Sequence, residues 1–214
     1  MSTLNFSEFD TGFHRFFDDF DKFTAADWTI TTTEGGSGSA TEAIANADGG
    51  ILVVTNDDAA PDHDFLQWAK ETFTFETGKR LYFEARLKIS DVTQSAFVAG
   101  LQVTDTSPLA VSDGIWFQSD DGDANLDFHV AASSVQTDAA AIATLVDDTY
   151  VKVAFYYDGS NADLKYIVNG VVLGKVALTN APSTELTVSF GIQNGEAAAK
   201  VMSVDYIFVA KERA

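Results

Sequence analysis

From Tyr150 the chain reads YVKVAFYYDGS, and its apolar positions alternate. Val151, Val153, Phe155 and Tyr157 fall on one face of an extended segment that ends at an Asp-Gly turn. The following ADLKYIVNGVVLGKVAL reads as strand, Asn169–Gly170, strand, because Asn-Gly tolerates the positive φ that a tight hairpin demands. In LTVSFGIQNGEAAAKVMSVDYIFVAKER, Leu186, Val188, Phe190 and Ile192 alternate, Asn194–Gly195 turns the chain, and a last strand follows. The earlier runs DWTIT, GGILVVTN, FLQWAKETFTF, RLYFEARLKIS, AFVAGLQVT and DGIWFQS continue the pattern. Roughly 12 to 14 strands separated by turn signals predict an all-β, two-sheet antiparallel sandwich. Helical spacing is confined to DAAAIATL and HRFFDDFDKF, each predicted as at most one short helix. No repeat or linker divides the chain, so residues 17–214 read as one domain and residues 1–16 as an arm or first strand.

Composition supports a sizeable core: 214 residues, 46% of them hydrophobic, with 17 Phe. The absence of Cys removes disulfides, thiolate catalysis and Cys-ligated zinc together. No run is long and apolar enough to span a membrane, and the N-terminus has no basic start followed by an apolar stretch. The net charge is −19, which repels phosphate backbones and excludes nucleic acid as a partner.

One acidic stretch needs a decision. DDGDANLDFHV, from Asp120, opens with the D-x-D-x-N-x-D spacing of a calcium loop. A helix–loop–helix calcium site needs Gly at its sixth position and Glu at its twelfth; counted from Asp121, these are Leu126 and Ala132. Leu126, Phe128 and Val130 also alternate with Asn125, Asp127 and His129, which is a strand with one buried face. The parse is strand GIWFQS, turn DDGD, strand ANLDFHV, leaving at most a weak calcium at Asp120–Asp123 and no cofactor.

Catalytic patterns are sparse. His14, His63 and His129 lack metal-ligand spacing, no G-x-S-x-G occurs, and Asp62-His63-Asp64 has no nucleophile motif beside it. GGSGS does not run on into G-K-[ST], so it is no phosphate loop. Sandwich glucanases carry Glu-x-Asp-x-x-Glu on one strand; here RLYFEARLKIS offers Glu84 alone, followed on the same face by Arg86 and Lys88. No catalytic, cofactor-binding or metal-binding residue is assigned, and the chain is expected to be no enzyme.

The ordered blocks LYFEARLKISDVTQSAFVAGLQVTDTSP, VSDGIWFQSDDGDANLDFHV, DDTYVKVAFYYDG, YIVNGVVLG and SFGIQNGEAAAKVMSVDYIFVAKER resemble the concanavalin A-like jelly roll of the laminin-G/lectin/glucanase superfamily. Within it they resemble the virion proteins of tailed bacteriophages that decorate or cement the capsid. The resemblance implies a jelly roll of about 13 strands and a non-enzymatic structural role on the capsid surface, stabilising the head by bridging subunits of the major capsid protein. It also implies a homo-oligomer, with a trimer favoured, made in a bacterial host's cytoplasm. The aromatic segment with Phe6, Phe9, Phe13 and Phe16 has two readings: packing onto its own sandwich, or an arm whose Phe side chains contact the partner. The alternative function is a lectin-like glycan-binding module on a virion or cell surface. Trp68 and Trp116 exposed together would favour it, although both sit in apolar runs that predict burial.

Overall fold

The computed structural model describes residues 12–36, 38–47 and 49–213. Among them sixteen strands form two eight-stranded sheets, a jelly-roll sandwich in which the only helical turns are three short 3-10 segments. Where the sequence pattern predicts about 13 strands, the structure adds short edge strands.

Sheet A holds β14 (Val171–Ala177), β13 (Asp163–Val168), β12 (Val151–Tyr157), β7 (Leu81–Ile89), β16 (Val201–Glu212), β4 (Ile51–Thr55) and β3 (Thr41–Ala45), in that order. β1 (Phe13–Asp18) also pairs with β16. Sheet B holds β11 (Val135–Thr144), β10 (Asn125–Ala132), β9 (Gly114–Ser119), β8 (Ser95–Gln102), β15 (Glu185–Asn194), β5 (His63–Trp68) and β2 (Trp28–Thr33). The short β6 (Phe73–Thr74) pairs with the start of β15. All pairings are antiparallel, so each strand sends alternate residues inward.

Phe128, Val153, Phe155, Val188 and Phe190 face inward as their alternation predicts. Phe83, Leu87, Val153, Phe155, Ile207 and Val209 of sheet A meet Phe97, Leu101, Phe117, Phe128, Val188 and Phe190 of sheet B, all essentially without solvent exposure. Phe83 and Phe155 stack at 5.1 Å with an 11° interplanar angle. Burying side chains of this size is worth about 1.5–3 kcal/mol each, so this layer dominates the stability of the sandwich.

Neither predicted helix forms, and strand takes up the first half of HRFFDDFDKF and nearly all of DAAAIATL. HRFFDDFDKF supplies β1, because the stretch of β16 beyond β4 offers six residues of unpaired edge. DAAAIATL lies in β11, which closes the open edge of β10. In each case ladder hydrogen bonds to a waiting edge override a weak local periodicity.

Sheet A has a second informative feature. Between Val204 and Tyr206 the register of β16 against β7 shifts by one residue, leaving Asp205 as a bulge. Met202 and Val204 point inward before the bulge and Ile207 and Val209 after it, so Tyr206 and Phe208 are turned to the outer face.

Candidate functional site

β9 lies near the middle of sheet B, and Trp116 and Gln118 point outward from it, with Asp120 just beyond its end. The Trp116 indole N–H donates to Gln118 Oε1 at 2.8 Å, and the Gln118 amide donates to Asp120 Oδ1 at 2.7 Å. On β10, His129 is the register partner of Trp116, and the two rings stack at 5.1 Å and 23°. His129 Nδ1 lies 2.7 Å from Asp138 Oδ1 on β11. With Nδ1–H donating to that carboxylate, Nε2 carries the lone pair, and Nε2 is buried with no hydrogen-bond partner. Gln118, Asp120, His129 and Gln136 thus line a cleft of about 350 Å³ beside Leu109, Ala110 and Val111.

A loop lies across the same face. Val103, Leu109 and Val111 pack over Phe65, Val98, Trp116 and Ala131, which makes a second small core outside the sandwich. Two buried glutamines fasten the loop. Gln67 donates to the Val103 carbonyl at 3.0 Å and accepts the Asp105 N–H at 2.9 Å, and Gln102 donates to the Pro108 carbonyl at 2.8 Å. The loop leaves the cleft on one side and, on the other, a smaller groove of about 190 Å³ lined by His63, Phe65, Ser107 and Gln193. Burial holds the His63 imidazole below its ordinary pKa, so it is the neutral form that faces this groove.

The residues singled out in the sequence fall in several places. Trp116 is buried, but beneath the loop rather than between the sheets; Trp68 sits in a ring cluster with Trp28 and Phe16. Phe13 is buried on β1 under the Arg80 guanidinium, and Phe16 packs against Trp68 at 5.1 Å. Phe6 and Phe9 lie outside the described residues. The Asp120–Asp123 stretch is the turn of the β9–β10 hairpin, with Gly122 at φ +104°. Its carboxylates diverge: Asp120 accepts from Gln118, Asp123 from the Asn125 N–H, and Asp121 Oδ1 occupies the space a Cβ at Gly195 would fill.

Carboxylates do converge elsewhere. Glu34, Asp57 and Asp62 place one oxygen each within 4.8 Å of one another, the kind of set a hard cation uses. Loop amides already occupy part of it: Gly35 N–H donates to Asp62 and Gly38 N–H to Asp57. Close by, Asp64 is fully buried with Oδ2 unpartnered, and burial followed by the facing Glu42 pushes its carboxyl up to about 8. Asp57 and Asp62 come from the β4–β5 loop and Glu34 from the β2–β3 loop, so the spacing along the chain does not show that the three converge.

No family model and no curated protein matches the sequence. Solved structures do match. An endo-1,3-β-glucanase from Streptomyces sioyaensis superposes with a TM-score of 0.64 at 17% identity, covering 95% of this chain and 98% of that one. An endo-β-1,4-glucuronan lyase from the fungus Trichoderma reesei gives 0.59 at 13%, covering 93% and 95%. The carbohydrate recognition domain of Emp46p gives 0.61 at 8%, covering 90% and 94%. What is shared is the fold. The jelly roll read from the sequence therefore stands, and two expectations are corrected. Most of the fold neighbours are named as polysaccharide-cleaving enzymes, one is a carbohydrate recognition domain and one, from Shewanella oneidensis, is of unknown function, so they give no ground for a capsid decoration role. They equally overturn the expectation that enzyme activity can be set aside.

Proposed function

We propose that this chain is a carbohydrate-active protein that engages a neutral polysaccharide in the cleft on the outer face of sheet B. The observation that carries the reading is the set of Gln118, Asp120, His129 and Gln136 around one opening beside a stacked Trp116–His129 pair. The Gln118 and Gln136 amides and the Asp120 carboxylate supply the donors and acceptors that sugar hydroxyls need, with the His129 ring as part of the wall. The net charge of −19 opposes a polyuronate and leaves a neutral glycan as the matching class. The names of the fold neighbours, two glucanases and a carbohydrate recognition domain among them, support the same class.

Affinity electrophoresis in gels containing laminarin, lichenan or polyglucuronate tests the proposal. A neutral β-glucan should retard the protein, polyglucuronate should not, and Gln118→Ala and His129→Ala should remove the retardation. Failure of every neutral glucan to retard it would sink the reading. Release of reducing ends that disappears in His129→Ala would make the cleft catalytic, and binding without release would make it a recognition site.

A further inference from the structure

The outer face of sheet A, opposite the cleft, carries a second cavity of different chemistry. It holds about 280 Å³ and is lined by Phe17, Tyr82, Glu84, Tyr206 and Phe208. The strand register builds it. Phe17 of β1, Phe208 of β16 and Glu84 of β7 stand in one cross-strand row, with Tyr82 two residues before Glu84 and Tyr206 two residues before Phe208. The bulge at Asp205 is what turns Tyr206 and Phe208 to this side.

Glu84 sits among these rings. Tyr82 Oη donates to Glu84 Oε2 and Tyr206 Oη to Oε1, each at 2.5 Å. Burial, reinforced by these hydrogen bonds, raises both phenols above their ordinary range, so they remain neutral donors. No ion pair among the described residues includes Glu84. Arg86, next along the same face of β7, is committed elsewhere: it pairs with Asp205 and lies 4.0 Å over the Tyr150 ring. A half-buried carboxylate thus has two hydroxyl donors, spare lone pairs and, among the described residues, no cationic partner.

The rings decide what fits. Phe17 and Phe208 meet at 65° with centroids 6.3 Å apart, and Tyr82 and Phe208 at 53° and 6.1 Å. A sugar-stacking platform wants coplanar rings lying flat; rings tilted by this much form walls instead. Aromatic walls attract a cation through their negative faces, and a carboxylate among them adds Coulomb attraction to that. A strongly hydrated ammonium would have to shed water to enter, whereas alkylated nitrogen presents methyl groups to the rings and spreads its charge.

We infer that the Phe17–Tyr82–Glu84–Tyr206–Phe208 cavity is a binding site for a small quaternary ammonium compound, with a trimethylammonium group seated among the rings and its charge facing Glu84. The site is independent of the cleft on sheet B, so either can fail without the other.

Calorimetric titration of the full chain with choline, tetramethylammonium, the uncharged isostere 3,3-dimethylbutan-1-ol, laminaribiose and a trimethyl-lysine peptide tests it. Choline and tetramethylammonium should bind about ten-fold more tightly than the isostere, the factor expected when cation–π and ionic attraction are both removed. Phe17 is 61% exposed, so Phe17→Leu keeps apolar area without touching the core and should weaken choline by several-fold. Glu84→Gln should weaken it further while leaving the isostere unchanged. The inference is overturned by equal binding of cation and isostere, by choline binding that survives both substitutions, or by no heat with choline at high millimolar concentration. Laminaribiose heat that Phe17→Leu abolishes would overturn it in favour of a sugar. Binding of the peptide without choline would overturn the small-molecule assignment.

Discussion

Trp116 and His129 stand directly opposite each other on β9 and β10, with their rings stacked at 5.1 Å, and the indole N–H is spent on Gln118. The pair ties the hydrogen-bond chain that orders Asp120 to the imidazole that Asp138 orients. Trp116→Ala should cost about 3–5 kcal/mol, as for other fully buried large rings. Trp116→Phe keeps a ring but strips Gln118 of its donor, and about 1–2 kcal/mol is expected. Urea unfolding of the two variants separates packing from hydrogen bonding; a Trp116→Phe protein as stable as wild type would remove the indole N–H from the account.

Gln102 is one of the two glutamines that fasten the loop over sheet B. It is fully buried, donates to the Pro108 carbonyl and accepts from the Ser189 hydroxyl at 2.6 Å. Gln102→Ala strips the Pro108 carbonyl of its side-chain donor and the Ser189 hydroxyl of its acceptor, Ser189 keeping only the Gln67 amide, so a loss of about 1–3 kcal/mol is expected. Amide exchange should accelerate mainly in residues 103–113, because those amides close over the second core. Exchange that rises uniformly across sheet B would instead mean that Gln102 supports the sheet and not the loop.

Asp64 makes stability depend on pH in an unusual direction for a carboxyl. Its folded pKa stands at about 8 against an ordinary 3.8, with burial the larger cause and Glu42 the next. An acid raised in the folded state supports folding fully below its unfolded pKa, and that support is lost as pH climbs through the folded value. Asp64→Asn should therefore melt progressively higher relative to wild type between pH 4 and pH 8, by on the order of a few kcal/mol at the upper end. Calorimetric melts across that range measure the difference. A difference that stays constant with pH would show that Asp64 is ionised throughout.

Lys200 works in the opposite sense. Its side chain is 5% exposed, and its ammonium lies 2.9 Å from Asp91 and 2.6 Å from Glu196. Lys200 is the leading reason that Asp91 is held below the ordinary carboxylate range, so the pair contributes stability above that range and loses it as the solution is acidified. Lys200→Met keeps the stem packed and removes the charge; because both carboxylates reach water, about 1–2 kcal/mol is expected. The acid unfolding midpoint should also move, since Asp91 then has no cation to defend its ionised form. An unchanged acid midpoint would show that the ion pair adds nothing to folding.

The alternation of Val151, Val153, Phe155 and Tyr157, and of Leu186 through Ile192, placed the inward faces correctly because period-2 burial is written locally. The β9–β10 hairpin was legible for the same reason, down to Gly122 at positive φ. The Phe13–Phe20 segment misled because its spacing also fits a helix, and only the free edge of β16 decides between the two. The sites were harder. Gln118, His129 and Gln136 come from three strands, and Glu34 lies on a different loop from Asp57 and Asp62. Glu84 was visible as an isolated acid with Tyr82 two residues before it, but Tyr206 reaches it only across the β7–β16 register, past a bulge 121 residues further on. Spacing along one strand could not show the members that come from other strands and loops.

The placement of β16 has a consequence for synthesis. It is the last of these sixteen strands to be made, yet it lies inside sheet A, bonded to β7 along one side and to β4 and β1 along the other. During translation, β3–β4 and β7–β12–β13–β14 must wait as two incomplete pieces, each with an unsatisfied ladder edge, until residues 201–212 emerge and join them. The two halves of the sheet are then zipped at once. A ribosome-bound chain arrested before Val201 should accordingly be far more open to protease and chaperone than one arrested after Glu212 has cleared the tunnel.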